Sequence, residues 1–266
     1  MGHGIIRFHP TFQVQSSLSE DTVIYHIFSF EYFKALLESR SLYFKRIVEW
    51  YDTYEYPVRF MPEDRKELIV RYLFGICFAQ QYDKEAMWKL YAGDDYKTGV
   101  CVKTTVKRVY DAIKNYTEHE WRNGFVAKVK YVPYLDDEPA KMFFESDKTT
   151  YPDYMYPAFI KRDAFSYEDE IRIMIFDPSR AEKGQIESSI NVPVDLSFID
   201  GIILSPYFPS DKKEEFYNLC NKQELNVPIT QSTLFQKLAE NIKPLPEDNL
   251  VFWGGPKRSI TNSKRR

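Results

Sequence analysis

Apolar residues recur along this chain with two periods, and the switches between them predict the order of its elements. Thr22 to Phe28 reads as a first strand, and Ser29 then caps a helix in which Phe30, Phe33, Leu36 and Leu37 return at helical spacing through Glu38. Leu42-Tyr43-Phe44 predicts a short second strand running into an aromatic and acidic loop, Glu49 to Pro57. A charged helix from Pro62 to Arg71 precedes a strand from Tyr72 to Ala79. A short helix from Lys84 to Ala92 then carries Met87, Trp88 and Tyr91 on one side. Gly99 to Lys103 predicts a strand, Val106 to Tyr116 a helix and Val126 to Val132 a strand, followed by a helical or irregular stretch from Pro139 to Arg162. Strands at 167–176, Ile190 to Val194 and Gly201 to Leu204 come next, and Asp211 to Asn221 predicts a late helix. The expected fold is α+β, with mixed, mainly antiparallel sheets and flanking helices. Residues 1–20 read as a polar lead-in, 21–243 as a single domain and 244–266 as a basic, flexible tail.

The strand at 167–176 carries the most suggestive chemistry. Side chains two apart project the same way, so the pattern puts Glu168, Glu170 and Arg172 on one face and Asp169, Ile171, Ile173 and Ile175 on the other. Neighbouring carboxylates titrate unequally, and a guanidinium beside them holds one ionised while the other keeps its proton. On local pattern alone, a salt-bridged exposed strand explains the same three residues without catalysis.

Composition narrows the function classes. Hydrophobic residues make up 44% of 266, which is a globular balance, and 20 Tyr with 20 Phe exceed ordinary packing needs and suit stacking on flat rings. With 36 basic against 39 acidic residues the formal net charge is -3, so a long duplex footprint is not expected and any nucleic-acid contact is local. Cys77, Cys101 and Cys220 are too few and too scattered for a disulfide framework or a paired-thiolate zinc site, which fits a reducing cytoplasm. His3, His9, His26 and His119 show no ligand spacing, so no metal is expected, and no window reaches the length of a membrane span.

Several segments together resemble a bacterial family known as domain of unknown function 2971. They are Tyr25-His26, the Asp-x-aromatic-Glu element at Asp52 to Glu55, Cys77-Phe78 leading to Met87-Trp88-Lys89-Leu90-Tyr91-Ala92, Gly99 to Val102, and Tyr167-Glu168-Asp169-Glu170-Ile171-Arg172. Thr53 stands where that family commonly has proline, and Phe165 where it often has tryptophan, so the chain resembles a divergent member. A looser similarity joins the opening strand, its following helix and Ser41-Leu42-Tyr43 to the start of ADP-ribosyltransferases. That resemblance implies NAD as substrate, an early His on the nicotinamide-side ribose, an aromatic residue stacked on nicotinamide and a catalytic Glu on a late strand. The matching residues are His26, Tyr25 and Glu170 or Glu168. Arg172 would pair with a carboxylate or bind pyrophosphate, Trp88 and Tyr91 join the cofactor-side candidates, and Asp52 and Glu55 are further site candidates.

Three functions follow as expectations. The first is an NAD-dependent ADP-ribosyltransferase-like enzyme acting on a nucleic-acid or protein acceptor, or an NAD glycohydrolase, in bacterial or phage conflict. The second is a non-catalytic sensor or partner-binding module of a defence system, in which Glu168, Glu170 and Arg172 are structural. The third is a nuclease holding a divalent metal between Asp52, Glu55, Glu168 and Glu170. For Tyr25-His26 the reading as ordinary strand residues stands beside the functional one, and Met87, Trp88 and Tyr91 at helical spacing fit core packing as well as a cofactor wall.

Overall fold

The computed structural model describes residues 11–15, 18–50, 71–93, 96–117, 122–133, 156–182 and 186–235. The loop bearing Asp52 and Glu55, most of the helix expected at Pro62 to Arg71 and the tail from 244 lie outside these residues.

The fold is α+β, and among the described residues it is built on one large mixed sheet. Twelve strands occur in chain order: β1 (Thr11–Val14), β2 (Val23–Phe28), β3 (Ser41–Arg46), β4 (Leu73–Ala79), β5 (Val100–Thr105), β6 (Asn123–Lys128), β7 (Lys130–Val132), β8 (Ile160–Arg162), β9 (Glu170–Phe176), β10 (Ser189–Pro193), β11 (Gly201–Leu204) and β12 (Ile229–Gln231). The principal helices are α1 (Phe30–Ser39), α2 (Glu85–Tyr91), α3 (Val106–Thr117) and α4 (Ser210–Lys222). The main sheet runs β1-β6-β9-β4-β2-β5-β11-β12, with β3 joined to β4 and β10 joined to β3, while β7 and β8 form a separate parallel pair. Most neighbours are antiparallel, with β1 on β6 and β12 on β11 parallel.

The apolar periods place the core as expected. Ser29 accepts from the Tyr32 backbone N–H, and α1 buries Phe30, Phe33, Leu36 and Leu37. The same core takes Phe74, Ile76 and Phe78 of β4 and Ile171, Ile173 and Ile175 of β9. Three short strands carry too little period to stand out in the sequence: β1, inside the stretch read as a polar lead-in, β8 and β12. The strand read from Val126 to Val132 divides at Val129, whose N–H bonds to the Glu170 carbonyl at 2.8 Å before the chain turns into β7.

What positions the site is a branch at β4. Its β9 edge is paired along the whole strand, from Leu73↔Phe176 to Ala79↔Glu170. The other edge is shared: Ala79 pairs with Tyr25 of β2, while Gly75 and Phe74 pair with Lys45 and Arg46 of β3. Between these attachments β2 and β3 part, and α1 connects them.

Candidate active site

Alternation along β4 carves the floor of a cleft. Phe74, Ile76 and Phe78 fill the core, so the small residues Gly75, Cys77 and Ala79 face the other way. A side chain in place of Gly75 would meet Met174 Sδ at 2.6 Å and Trp50 at 2.7 Å, so this position admits only glycine without rearrangement. The cavity above has a volume of about 760 Å³. Its lining includes Tyr25, His26, Cys77, Ala79, Tyr82, Tyr91, Glu168 and Glu170, with Tyr32, Tyr43, Lys45 and Asn191 toward the β3 side. Both faces of β2 contribute, which only the parting of β2 from β4 permits.

Directly opposed residues share a sheet face, so the pairs Tyr25↔Ala79 and Ala79↔Glu170 set Tyr25 and Glu170 in one row, two strand spacings or about 10 Å apart. Ala79, between them, is 5% exposed and is among the residues that line the cavity. Tyr25 packs on Tyr82 with ring centroids 4.7 Å apart.

His26 occupies the gap in the ladder. Its Nδ1 lies 2.6 Å from the Cys77 carbonyl, which can only accept, so Nδ1 carries the proton and Nε2 the lone pair. Burial lowers its pKa from 6.5 to about 4, against the opposing pull of that bond. Because the unfolded chain then binds more protons between those values, stability declines as pH falls below about 6.5. We expect about 2 kcal/mol to be lost by pH 5. Urea midpoints measured from pH 7 to pH 5 should fall in the parent and stay flatter in His26→Asn, which keeps a donor but does not titrate. Equal slopes would remove His26 as the source.

At the other end of the row the charges expected on an exposed strand are buried, and both faces of β9 are covered. Glu170 is 3% exposed and Arg172 0%. Arg172 donates through Nε at 2.6 Å and Nη2 at 3.1 Å to the two oxygens of Glu170, and through Nη1 at 2.6 Å to the Ala158 carbonyl. Its guanidinium carbon stands 4.6 Å from the Trp50 ring centroid. Burial raises the Glu170 pKa, but the charge and forked bonds of Arg172, with Lys161 beyond, outweigh it and bring the carboxyl down to about 2.

Glu168 reaches the same place by another route. Residues Asp163–Glu168 form a 3-10 turn rather than strand, and Asp169 takes the left-handed conformation at φ 44°. Glu168 therefore does not share the β9 face by alternation, and Lys161 ties it to Glu170 instead, with Nζ 2.5 Å from Glu168 and 3.4 Å from Glu170. Burial raises the Glu168 pKa, and Lys161 opposes that rise. The Tyr91 hydroxyl bonds to the Glu168 carboxylate. The site thus holds one firmly ionised carboxylate and one disposed to exchange a proton.

The structure brings Tyr25, His26, Tyr91, Glu168 and Glu170 to one cavity. It does not bring Trp88, which is turned into a cluster with Ile27, Met87, Ala92 and Cys101, nor does Arg172 line the cavity. Lys161, Cys77, Ala79 and Tyr82 were missed in the sequence. The signal for Cys77 and Ala79 was visible in the large-small alternation of β4, whereas Lys161 sits in a three-residue strand without a period. Among the described residues no group of three or more His, Cys, Asp or Glu is placed to hold a metal ion, and no helix is long and apolar enough to cross a membrane.

Residues 87–173 match the family model for a protein of unknown function, DUF2971. No curated protein matches the sequence significantly. Among solved structures, similarity is found to DarT of Thermus sp. 2.9 in complex with ADP-ribosylated ssDNA, at 11% identity over 82% of this chain and 96% of that one, with a TM-score of 0.39. The same protein in complex with NAD+ shows 10% identity over 81% and 97% with a TM-score of 0.39. Its complex with carba-NAD+ shows 12% over 80% and 96% with a TM-score of 0.36.

Proposed function

We propose that the protein is an NAD-consuming enzyme of the ADP-ribosyltransferase type, with Glu170 as its catalytic carboxylate. The observation that carries this reading is a buried, ionised carboxylate set across Ala79 from an aromatic wall, in a cavity large enough for a nucleotide. Breaking the bond between the nicotinamide nitrogen and the ribose C1′ leaves positive charge on the sugar, and the bonding pair departs with nicotinamide. A fixed anion in a water-poor site stabilises that charge. Glu170 supplies it, already oriented by Arg172. Tyr25 and Tyr82 offer the faces for the nicotinamide ring, and His26, neutral with a free Nε2 lone pair, can accept from a ribose hydroxyl. A nucleophile on the acceptor bonds to C1′ and loses its proton to Glu168. With water in that place the product is free ADP-ribose. Nucleic acid and protein both suit as acceptors, the absence of a disulfide at Cys77, Cys101 and Cys220 fits action in the cytoplasm, and bacterial or phage conflict is the proposed setting.

Glu170→Gln keeps the shape and removes the charge, at the cost of leaving the buried Arg172 without its carboxylate, and in variant protein shown to be folded by thermal melting nicotinamide release should fall about 100- to 1,000-fold. Release measured with NAD alone and with cell lysate tests the assignment, and equal release by parent and variant would refute it. The reading of these residues as a non-catalytic ion cluster has one observation in its favour, the pairing of Glu170 with both Arg172 and Lys161. It predicts no release by the parent.

A further inference from the structure

The amine between the two carboxylates comes from outside the main sheet. Lys161 lies on β8, and its partner across the β7–β8 pair is Tyr131. Both reach the same turn: the Tyr131 hydroxyl accepts from the Glu170 backbone N–H at 2.9 Å, while Lys161 bridges Glu168 and Glu170. The small parallel pair therefore clamps Glu168-Asp169-Glu170 from above. Lys161 is 6% exposed and is more closely bound to Glu168 than to Glu170, which Arg172 holds by a fork of two hydrogen bonds.

We propose that Lys161 is a positioning residue that holds Glu168 ionised in its buried place, leaving Glu168 as the base that takes the proton of the acceptor. This rests on the transferase reading above. The asymmetry is built from the counter-ions. A fork of two hydrogen bonds holds Glu170 on Arg172, so Glu170 stays ionised through the reaction. Among the described residues Glu168 meets one ammonium, that of Lys161, and the Tyr91 hydroxyl, and it faces the Glu170 charge. The described groups around Glu168 are Lys161 on β8, Tyr91 on α2, Glu170 on β9, Tyr131 on β7 and the adjacent Tyr167. Tyr91 is 41% exposed over the residue, and burial of its hydroxyl with the nearby Glu168 charge keeps its phenol protonated. Donating to Glu168, it turns the carboxylate toward the cavity that both residues line. In the transfer step the acceptor's O–H or N–H bond breaks, its heavy atom bonds to C1′, and the proton passes to Glu168.

The test compares parent, Lys161→Met and Lys161→Arg by carbon-13 titration of the glutamate carboxyls, with Glu168 assigned from its missing signal in Glu168→Gln. Losing the ammonium should raise the Glu168 midpoint by about one to three pH units, and arginine should return most of it. The acidic limb of the ADP-ribose-transfer pH profile should move to higher pH with it, and should vanish in Glu168→Gln. A Glu168 midpoint unmoved in folded Lys161→Met overturns the inference. Should that variant fail to fold, an acidic limb persisting in Glu168→Gln overturns it equally. A shifted midpoint in a protein whose parent never consumes NAD would uphold the electrostatic role of Lys161 and sink the enzymatic reading instead.

Discussion

Arg172→Met should be among the most destabilising single substitutions in this protein, costing about 3–5 kcal/mol, because it strands a buried carboxylate and not because it removes a favourable pair. Glu170 is nearly inaccessible, and its remaining counter-ion, Lys161, stands 3.4 Å away and is engaged more closely by Glu168. For a domain of this size such a loss lowers the melting temperature by roughly 10 °C or more. Adding Glu170→Gln should recover at least half of the loss, since the uncompensated charge is gone while the packing of the methionine against Trp50 is unchanged. If the double variant melts no higher than Arg172→Met, the penalty comes from packing around Trp50 and the Ala158 carbonyl, and the electrostatic account of the cluster fails. Thermal unfolding of parent, single and double variants decides between the two.

The second large effect should come from the floor of the cleft. Ala79 is the middle of the row Tyr25–Ala79–Glu170 and lines the cavity there, with an aromatic face and a carboxylate about 10 Å apart on either side of it. Ala79→Leu would add bulk to that space beside Glu170, its cross-strand partner, while leaving every charge of the ion cluster in place. Overpacking costs about 1–3 kcal/mol, which leaves the chain folded. NAD affinity should drop at least 100-fold, on the order of 3 kcal/mol, as a cavity whose floor is filled no longer admits a flat ring. Glu170→Gln should act differently, lowering turnover while leaving most of the affinity intact, since its charge is needed chiefly once the bond is breaking.

How far the sequence foretold this site depends on which interactions are local. The Ser29 cap and the Phe30, Phe33, Leu36, Leu37 spacing state α1 plainly, because a helix is set by contacts within a few residues. The alternation of Glu170 and Arg172 against Ile171, Ile173 and Ile175 states β9 equally well, and those two charges do share a face. What alternation does not carry is burial. The same pattern describes an exposed salt-bridged strand, and only the groups that cover this face, Trp50, Ala158 and Lys161, put the charges inside. Glu168 reaches the cluster through a 3-10 turn and a left-handed Asp169, a local departure from the period that apolar spacing does not register. Lys161 was illegible for a different reason: its strand has three residues, and their orientation follows from pairing with β7 rather than from neighbours in sequence. The small residues Gly75, Cys77 and Ala79 were in view as part of a strand, but their meaning as a floor depends on the branch where β2 and β3 share one edge of β4.

The central claim is that the trough between Tyr25 and Glu170 holds NAD. Calorimetric titration of the parent and of folded Ala79→Leu with NAD tests it most directly. Saturable binding by the parent that is lost or weakened at least 100-fold in the variant is the predicted result. Equal binding by both, or none by the parent, would contradict it.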